Sequence, residues 1–547
     1  AHHRWQAILP AADMAAMTLR VPPRVTVGGP ASIADDRSQG HLKWWLIAAV
    51  VLVAGILRGS ILFGTALMPG TNGAYYLVQT RSLLSRGALG IPDLPLAFHL
   101  QASLARAVQW VSGRDIESCI LFSVKLADSI LPALVALPVS LLVSRWTKVA
   151  GAPTAIALAA AALATMNAPV LNMAGNLEKN SLGLLWLSML LLFIHMWMTR
   201  PTLANAAGVL CFWGLAAVTH IGVFGASVTF GVMAIVICLA VSRGRAWLAL
   251  WPLLFAAVGV GALAAGVVLW KFDAQRVQRL AEALIHPADY LIGGQGAGPA
   301  APMPGLGGAT FLPSMMQAGP SLAFAFTSIA ALMTCWRKRA VLPEADVCVA
   351  GACAAGVLLM TGPWVYGDKA CRFYLIAITP ALMAGAFAII HCGHQRLRVG
   401  ILVAVAACMI GPSIVILCVG GKPIISEEDL RELRSLAPLV APPDKTLIVA
   451  RHGMEWWTAW ALHTRIAQSR ALRIEDWRNF DAVFFLRSKS NPRLLSGGDR
   501  SATHQPPAPP PRRDRSGTLN PMEEPETPAG AEIVHDGEMF ILSRVSV

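Results

Sequence analysis

Residues 68–101 read MPGTNGAYYLVQTRSLLSRGALGIPDLPLAFHLQ, and this stretch is amphipathic where both flanking segments are uniformly apolar. Asn72 is a favoured helix N-cap and Gly87 a favoured C-terminal stop, so the stretch predicts a helix between them. Residues three and four apart share a face of such a helix, here Tyr75, Gln79, Ser82 and Arg86. An amphipathic helix of this kind is expected to lie in the membrane interface rather than to cross the membrane.

The second half of the stretch predicts another interfacial helix. Pro92 and Pro95 bracket Asp93, and an amphipathic pattern then continues from Phe98 to Trp110. Asp93 precedes Leu94 and Pro95, so it is also placed to cap this second helix.

The composition indicates an all-α polytopic membrane protein. Of 547 residues, 55% are hydrophobic and 14% are charged, whereas soluble domains carry about 25% charge. The net charge of +13 does not indicate nucleic-acid binding, because most of the basic residues flank apolar runs, where they set topology and contact anionic lipid. No CxxC motif occurs, and the cysteines support neither a disulfide framework nor a zinc site.

About eleven apolar runs are each long enough to cross a hydrocarbon layer of roughly 30 Å. Their approximate limits are 43–63, 119–143, 150–171, 181–198, 203–219, 221–241, 247–270, 320–336, 345–366, 372–391 and 399–419. If the N-terminus is cytoplasmic, every short inside loop is basic, as the positive-inside rule requires. The long loops 64–118 and 271–319 and everything after residue 423 then lie outside.

This pattern divides the chain into three parts. Residues 1–42 are a cytoplasmic tail, 43–423 the transmembrane domain, and 424–547 a small extracytoplasmic α/β domain with a Pro-rich, disordered insertion at 490–530. In the last part we predict a capped helix at Ser426, strands at Thr446–Ala450 and Asp481–Leu486, a helix at Met454–Gln468, and a hairpin of Glu532–His535 with Glu538–Val545.

Ionisable groups are costly at membrane depth, so those at the outer face are the candidate functional residues. They occur in five places: the opening stretch, 176–180 (NLEKN), 219–220 (TH), 368–372 (DKACR) and 451–457 (RHGMEWW). By the predicted topology all five face the same compartment. An outward-opening cavity lined with carboxylates, cations and aromatic rings would use all of them.

The layout resembles the GT-C superfamily of membrane glycosyltransferases, which includes oligosaccharyltransferase catalytic subunits and protein O-mannosyltransferases. The matching segments are PGTNGAYYLVQTRSLLSRG at 69–87, PDLPLAFHL at 92–100, TH at 219–220 and RFY at 372–374. The resemblance covers roughly residues 40–420 by architecture. It implies many helices around a cavity that takes a polyprenyl-phosphate-linked sugar, with an acidic residue in the first outside loop. That residue would fall at Asn72, and asparagine cannot act as a base.

The resemblance implies an inverting glycosyltransferase on the outer face of a bacterial-type inner membrane, with a polyprenyl-phosphate-sugar donor as its partner. Asp93 or Glu178 would then be the catalytic base, and Arg372 and Lys369 would neutralise the donor phosphate. The expected substrate-binding residues are Asn72, Tyr75, Arg81, His99, Lys179, His220, Lys369 and Arg372. A divalent Mg or Mn ion on the carboxylates and membrane partner subunits both stay open.

Several of these residues also have structural interpretations. Asn72 and Asp93 are good helix caps, Glu178 and Lys179 are neighbours that could pair with each other, and Lys369 and Arg372 are suited to anchoring in lipid headgroups. Two other functions stay open for the chain. One is a transporter or flippase with the same cavity, and the other is a non-catalytic subunit of a membrane assembly, which the asparagine at position 72 favours.

Cysteine labelling tests the topology, in a background whose native cysteines are replaced. A membrane-impermeant maleimide should label Ser435→Cys from outside, because the basic loops place the C-terminal domain there. It should label Lys338→Cys only after the inner face is opened. Labelling of Ser435→Cys only after that treatment would contradict the topology.

Overall fold

The structure is a computed structural model. It describes residues 35–241, 259, 266, 311–362, 367–393, 395–440, 442–466, 477, 479–489, 525, 527–528 and 530–545. The chain divides into two compact units, residues 1–45 and residues 46–547. The second unit contains the elements that build the site.

Helices form most of the described part. In chain order they are α1 (Asp35–Phe63), α2 (Gly73–Arg86), α3 (Leu96–Ser112), α4 (Ile116–Ile130), α5 (Ala136–Ala150), α6 (Ala155–Met166), α7 (Ala168–Asn172), α8 (Glu178–Thr199), α9 (Leu203–Thr219), α10 (Ile221–Val241), α11 (Phe311–Lys338), α12 (Glu344–Thr361), α13 (Gly367–His391), α14 (Gln395–Val419), α15 (Glu427–Ser435) and α16 (Met454–Leu462).

Within the described residues, seven helical segments are long and apolar enough to cross a membrane. They are Trp44–Phe63, Ile116–Ala150, Ala155–Asn172, Glu178–Thr199, Ile221–Val241, Glu344–Thr361 and Arg372–His391. The helical membrane architecture expected from the composition is therefore confirmed. The run 247–270 lies almost entirely outside the described residues, so the count of about eleven stays a prediction.

The loop at 64–118 contains the two helices that its sequence predicts. Helix α2 ends where Gly87 adopts a left-handed conformation with φ 70°, which glycine reaches without the steric cost that a Cβ imposes. Helix α3 follows from Leu96 and ends at Gly113, which is also left-handed. Leu77 of α2 and Phe98 of α3 are fully buried against the rest of the protein.

The C-terminal part contains a five-stranded sheet of order β2-β1-β3-β5-β4. The strands are β1 (Thr446–Val449), β2 (Arg465–Ile466), β3 (Ala482–Ser488), β4 (Glu532–Asp536) and β5 (Phe540–Val545). Strand β1 is parallel to β2 and β3, while β3–β5 and β4–β5 are antiparallel. The two predicted strands, the hairpin and the capping box of Ser426 with Asp429 are confirmed.

One helix boundary was predicted wrongly. The helix expected over Met454–Gln468 ends at Leu462, because His463 turns into the left-handed region with φ 57°. Arg465 and Ile466 then pair with β1 as strand β2. Most of the segment 271–319 and of the insertion 490–530 lies outside the described residues.

The C-terminal domain packs on the first outside loop through a shared core. Buried residues of α2 and α3 belong to the same apolar cluster as Leu433 of α15, Trp457 of α16 and Phe540 of β5. The backbone N–H of Gly70 also donates to the Lys422 carbonyl at 3.0 Å. Burial of this apolar surface stabilises the position of the domain above α2.

A buried ion pair joins α1, α4 and the turn before α8. Arg58 of α1 contacts the Asp128 carboxylate of α4 at 2.7 Å, with both side chains almost fully buried. The same guanidinium donates to the Val170 carbonyl at 2.5 Å and to Ser181 at 3.0 Å. The second Asp128 oxygen accepts the Gly175 N–H at 2.7 Å. The pair thereby holds the turn that leads into α8.

Asp128→Asn should strongly destabilise the protein, because it leaves the Arg58 charge buried without its counter-ion, at a cost of about 3–5 kcal/mol. The measurement is the midpoint of SDS-induced unfolding in mixed micelles. Glu428→Gln is the matched control, since Glu428 and Arg431 form a solvent-exposed pair with side chains 81% and 74% exposed. Equal midpoints for the two variants would contradict the structural role of Asp128.

Candidate functional site

The loop between α1 and α4 meets the N-terminal end of α8 at a buried carboxylate, Asp93, which is 1% exposed. The Tyr75 hydroxyl of α2 and the Lys179 ammonium of α8 both donate to its Oδ2 atom. Its Oδ1 atom accepts the backbone N–H of Leu94 at 2.7 Å. Three parts of the chain therefore converge on one acidic side chain.

The loop that carries Asp93 is held in place by Gln79. The Gln79 side chain donates to the Ile91 carbonyl at 2.9 Å and accepts the Ile91 N–H at 3.1 Å. Helix α3 begins at Leu96 with Pro95 at its N-cap. Asp93 is therefore not the cap of this helix, and its carboxylate is held by Tyr75 and Lys179 instead.

Glu178 begins α8 and lies next to Lys179 in the chain, but the two side chains take different partners. A hydrogen-bonded chain runs from Thr80 to Gln101 at 3.1 Å and from Gln101 to Glu178 Oε2 at 2.5 Å. Among the described residues, the buried Glu178 Oε1 atom has no hydrogen-bond partner. A buried carboxylate oxygen left in this way carries a desolvation cost that a bound ligand could offset.

Aromatic rings surround the Lys179 ammonium. Its nitrogen lies 5.6 Å from the Tyr75 ring centroid and 5.5 Å from that of Phe98, distances at which ring faces attract a cation. The Lys179 backbone N–H donates to the Tyr76 hydroxyl at 3.4 Å. Burial, together with the nearby Glu178 charge, raises the pKa of Tyr76 well above its ordinary value, so this hydroxyl keeps its proton.

Asn72 joins the two loops on either side of the site. Its backbone N–H and its side-chain amide donate to Asn176 Oδ1 at 3.1 and 3.0 Å, and its side chain makes no capping hydrogen bond to α2. Gly70 and Gly175 allow the loops to approach, because an added Cβ at either would lie 2.8 or 2.6 Å from the facing loop. Asn72 is therefore a junction between the first loop and the start of α8.

The C-terminal domain reaches the site through α16. Trp456 packs edge-on against Tyr75, with ring centroids 4.9 Å apart. His452 and the buried Glu455 pair at 2.9 Å. The His452 ring also lies edge-on to Trp456, with centroids 6.2 Å apart. Gly453, with φ +92°, brings this turn against Thr71, where an added Cβ would lie 2.9 Å from the Thr71 methyl group.

Arg81 does not contact Asp93 and serves the docking of α16. Its guanidinium donates to the carbonyls of Trp460 and Ala459 at 2.7 and 2.6 Å and lies 3.3 Å from Glu117. Burial lowers the pKa of Arg81, and the Glu117 carboxylate opposes that shift. The expected substrate-binding role of Arg81 stays a prediction, and its described contacts are structural.

The remaining candidates are spread around the same end of the bundle. His99 is exposed on α3. His220 is buried in the turn from α9 to α10, where its Nδ1 accepts the Val223 N–H at 3.3 Å. Arg372 is exposed on α13, one turn before Ile376, whose side chain reaches the His220–Gly222 turn. The side chain of Lys369 lies outside the described residues.

The contacts of Asp93 do not fit a divalent metal ion. Asp93 accepts hydrogen bonds from an ammonium, a hydroxyl and a backbone N–H, and this set of donors is suited to an anion rather than to a neighbouring cation. Among the described residues, no three His, Cys, Asp or Glu side chains are grouped so that they could hold a metal.

Two residues of the site had no predicted role of their own, although Trp456 lies in the candidate segment 451–457. Gln101 orients Glu178, and Trp456 contacts Tyr75. Gln101 lies three residues after Phe98, on the buried face of α3, and a polar residue at such a position was the available signal. Trp456 and Trp457 are both buried against α2 and the sheet.

No protein-family model matches the chain. No curated protein matches it either. Among solved structures it is similar to ArnT from Cupriavidus metallidurans bound to undecaprenyl phosphate, with 13% identity, a TM-score of 0.49, and coverage of 91% of this chain and 97% of ArnT. The apo state of the same ArnT gives 13% identity and a TM-score of 0.49, with coverage of 93% and 98%.

Arg81→Met should loosen the C-terminal domain, because it removes two charge-assisted hydrogen bonds to α16, each worth about 1.5–3 kcal/mol. We expect faster thermolysin cleavage after residue 420 in folded protein. Arg86→Met is the matched control from the same helix, since Arg86 and Asp444 form an exposed pair with side chains 48% and 72% exposed, a class that contributes about 0–1 kcal/mol. Equal cleavage rates would contradict the docking role.

Proposed function

We propose that the chain is an inverting membrane glycosyltransferase that takes a sugar from a polyprenyl-phosphate donor. The observation that carries the proposal is the buried Asp93–Lys179 pair beside Glu178, at the outer end of a membrane-spanning helix. A cation and two carboxylates in one desolvated place match the needs of a reaction with a phosphate leaving group and a hydroxyl nucleophile. The GT-C resemblance of the sequence supports the same reaction.

In the reaction, the bond between the anomeric carbon and the phosphate oxygen breaks, and its electron pair stays on the phosphate. The acceptor oxygen forms the new bond to the anomeric carbon, and its proton passes to Asp93 or Glu178. Lys179 would neutralise the charge that develops on the phosphate, an electrostatic effect that is strong where water is excluded. Asp93 lies within reach of Lys179, while Glu178 presents an oxygen without a described partner.

The other cations would act before the chemical step. Arg372 is exposed on α13 at the same end of the bundle, so it would attract the phosphate headgroup from the lipid interface, together with Lys369 on the same helix. Lys179 lies deeper, among Tyr75 and Phe98. We propose that Lys179 contacts the phosphate during transfer.

The compartment follows from the basic loops of the sequence. We propose about eleven spans with the N-terminus inside and residues 424–547 on the outer face of a bacterial inner membrane. The acceptor would then approach from outside, where α2, α3 and α16 meet. The membrane lipids that surround the bundle would deliver the donor laterally.

The decisive experiment is sugar transfer from polyprenyl-phosphate donors by wild type, Asp93→Asn and Glu178→Gln in the same membranes. Loss of the general base should reduce the rate by about 10²–10⁴-fold, since the base acts in the transition state. Asp115→Asn is the matched control, because Asp115 is an exposed N-cap of α4 and asparagine caps equally well. It should transfer at the wild-type rate.

Each outcome has a distinct meaning. Wild-type rates in both carboxylate variants would remove Asp93 and Glu178 as bases. Absence of both transfer and donor binding in the wild type would favour the transporter or the non-catalytic subunit over the enzyme.

A further inference from the structure

We infer that Lys179 blocks Asp93 until the donor phosphate binds Lys179 in its place, so that the base acts only when the donor is bound. The contact between Lys179 and Asp93 is called the latch below. The inference rests on the proposed function and concerns the regulation of the same site. It follows from the hydrogen bonds that Asp93 accepts, from the surroundings of Lys179 and from the chemistry of a phosphate.

Asp93 is buried, and both of its carboxylate oxygens already accept hydrogen bonds. Its Oδ2 atom accepts from Tyr75 and Lys179, its Oδ1 atom accepts from the Leu94 N–H, and the side chain is 1% exposed. A carboxylate can receive a proton from an acceptor hydroxyl only if that hydroxyl reaches one of its oxygens. Because Oδ2 already accepts from two donors, we infer that an acceptor hydroxyl reaches it only when one of them moves away.

Lys179 is the partner that can leave. Tyr75 is packed between Phe98 and Trp456, and the Leu94 N–H belongs to the backbone. Lys179 instead carries its ammonium on a flexible four-carbon stem with rotatable donors. Its backbone is fixed by α8 and by the hydrogen bond to Tyr76. The ammonium can therefore change partner while the main chain stays in place.

A lipid-linked phosphate is a suitable new partner. A buried ammonium must keep a counter-ion, because an unpaired buried charge costs several kcal/mol. A phosphate oxygen carries negative charge and accepts strong, charge-assisted hydrogen bonds. When Lys179 turns to the phosphate, Asp93 keeps its two neutral donors, and the side that Lys179 occupied opens toward the acceptor. Donor binding thus places the cation on the leaving group and exposes the base in one movement.

The latch predicts that Asp93 and the donor compete for Lys179. Linkage is reciprocal, so removing the Asp93 charge should tighten donor binding, by a factor within the range of about 5–150-fold that is typical of coupled sites. A role for Asp93 in merely orienting Lys179 predicts the opposite, because the lysine of Asp93→Asn would then be misplaced and binding would weaken.

The test measures binding of undecaprenyl phosphate to the full chain in nanodiscs, for wild type, Asp93→Asn, Tyr75→Phe, Lys179→Gln and Asp115→Asn. Asp93→Asn should bind about tenfold more tightly while losing transfer. Tyr75→Phe should bind more weakly than wild type, because Asp93 then depends more on Lys179. Lys179→Gln should lose most of the affinity, and Asp115→Asn should match wild type.

The outcomes separate the latch from the proposed function. Undecaprenol, which lacks the phosphate, and inorganic phosphate are tested beside the lipid, and each should bind far more weakly. Wild type that does not bind undecaprenyl phosphate would contradict the proposed function. If wild type binds undecaprenyl phosphate and Asp93→Asn binds it equally well or more weakly, the latch is overturned and the proposed function is not. If Asp93→Asn fails the SDS-unfolding check, Tyr75→Phe decides, and unchanged or tighter binding by that variant overturns the latch.

Discussion

The contact between Asp93 and Lys179 joins two parts of the chain that are 86 residues apart. Both side chains are buried, and neither charge could remain in this environment without the other, because desolvation of a single ion costs several kcal/mol. The first outside loop and the start of α8 must therefore be placed accurately relative to each other. Much of the surrounding structure contributes to that placement.

Four contacts support this placement. Gln79 fixes the loop that carries Asp93, the Arg58–Asp128 pair fixes the turn before α8, and Gln101 orients Glu178. The C-terminal domain adds the fourth through Trp456, which packs on Tyr75. The site is thus composite, and its acidic residues depend on packing between the membrane bundle and the domain above it. Such second-layer contacts restrict the rotamers of the groups they touch.

Asn72 occupies the position where the resemblance expects an acidic residue, but its contacts give it a different role. In the superfamily that the sequence resembles, an acidic residue is expected there, and the asparagine raised the alternative of a non-catalytic subunit. In the structure Asn72 donates through its backbone and its side-chain amide to one Asn176 oxygen. An aspartate could not donate from its side chain in this way, because an ionised carboxylate only accepts. The carboxyl groups of the site are instead those of Asp93 and Glu178.

Local patterns in the sequence were enough to predict the elements. Hydropathy indicated the membrane helices and Gly87 the end of α2, because burial in lipid and backbone conformation depend on near neighbours. The tertiary structure decided the pairings. In the folded protein Lys179 pairs with Asp93 rather than with the adjacent Glu178. Arg81 donates to carbonyls of α16 more than 370 residues away. These choices depend on which surfaces meet in three dimensions, and spacing along the chain does not contain that information.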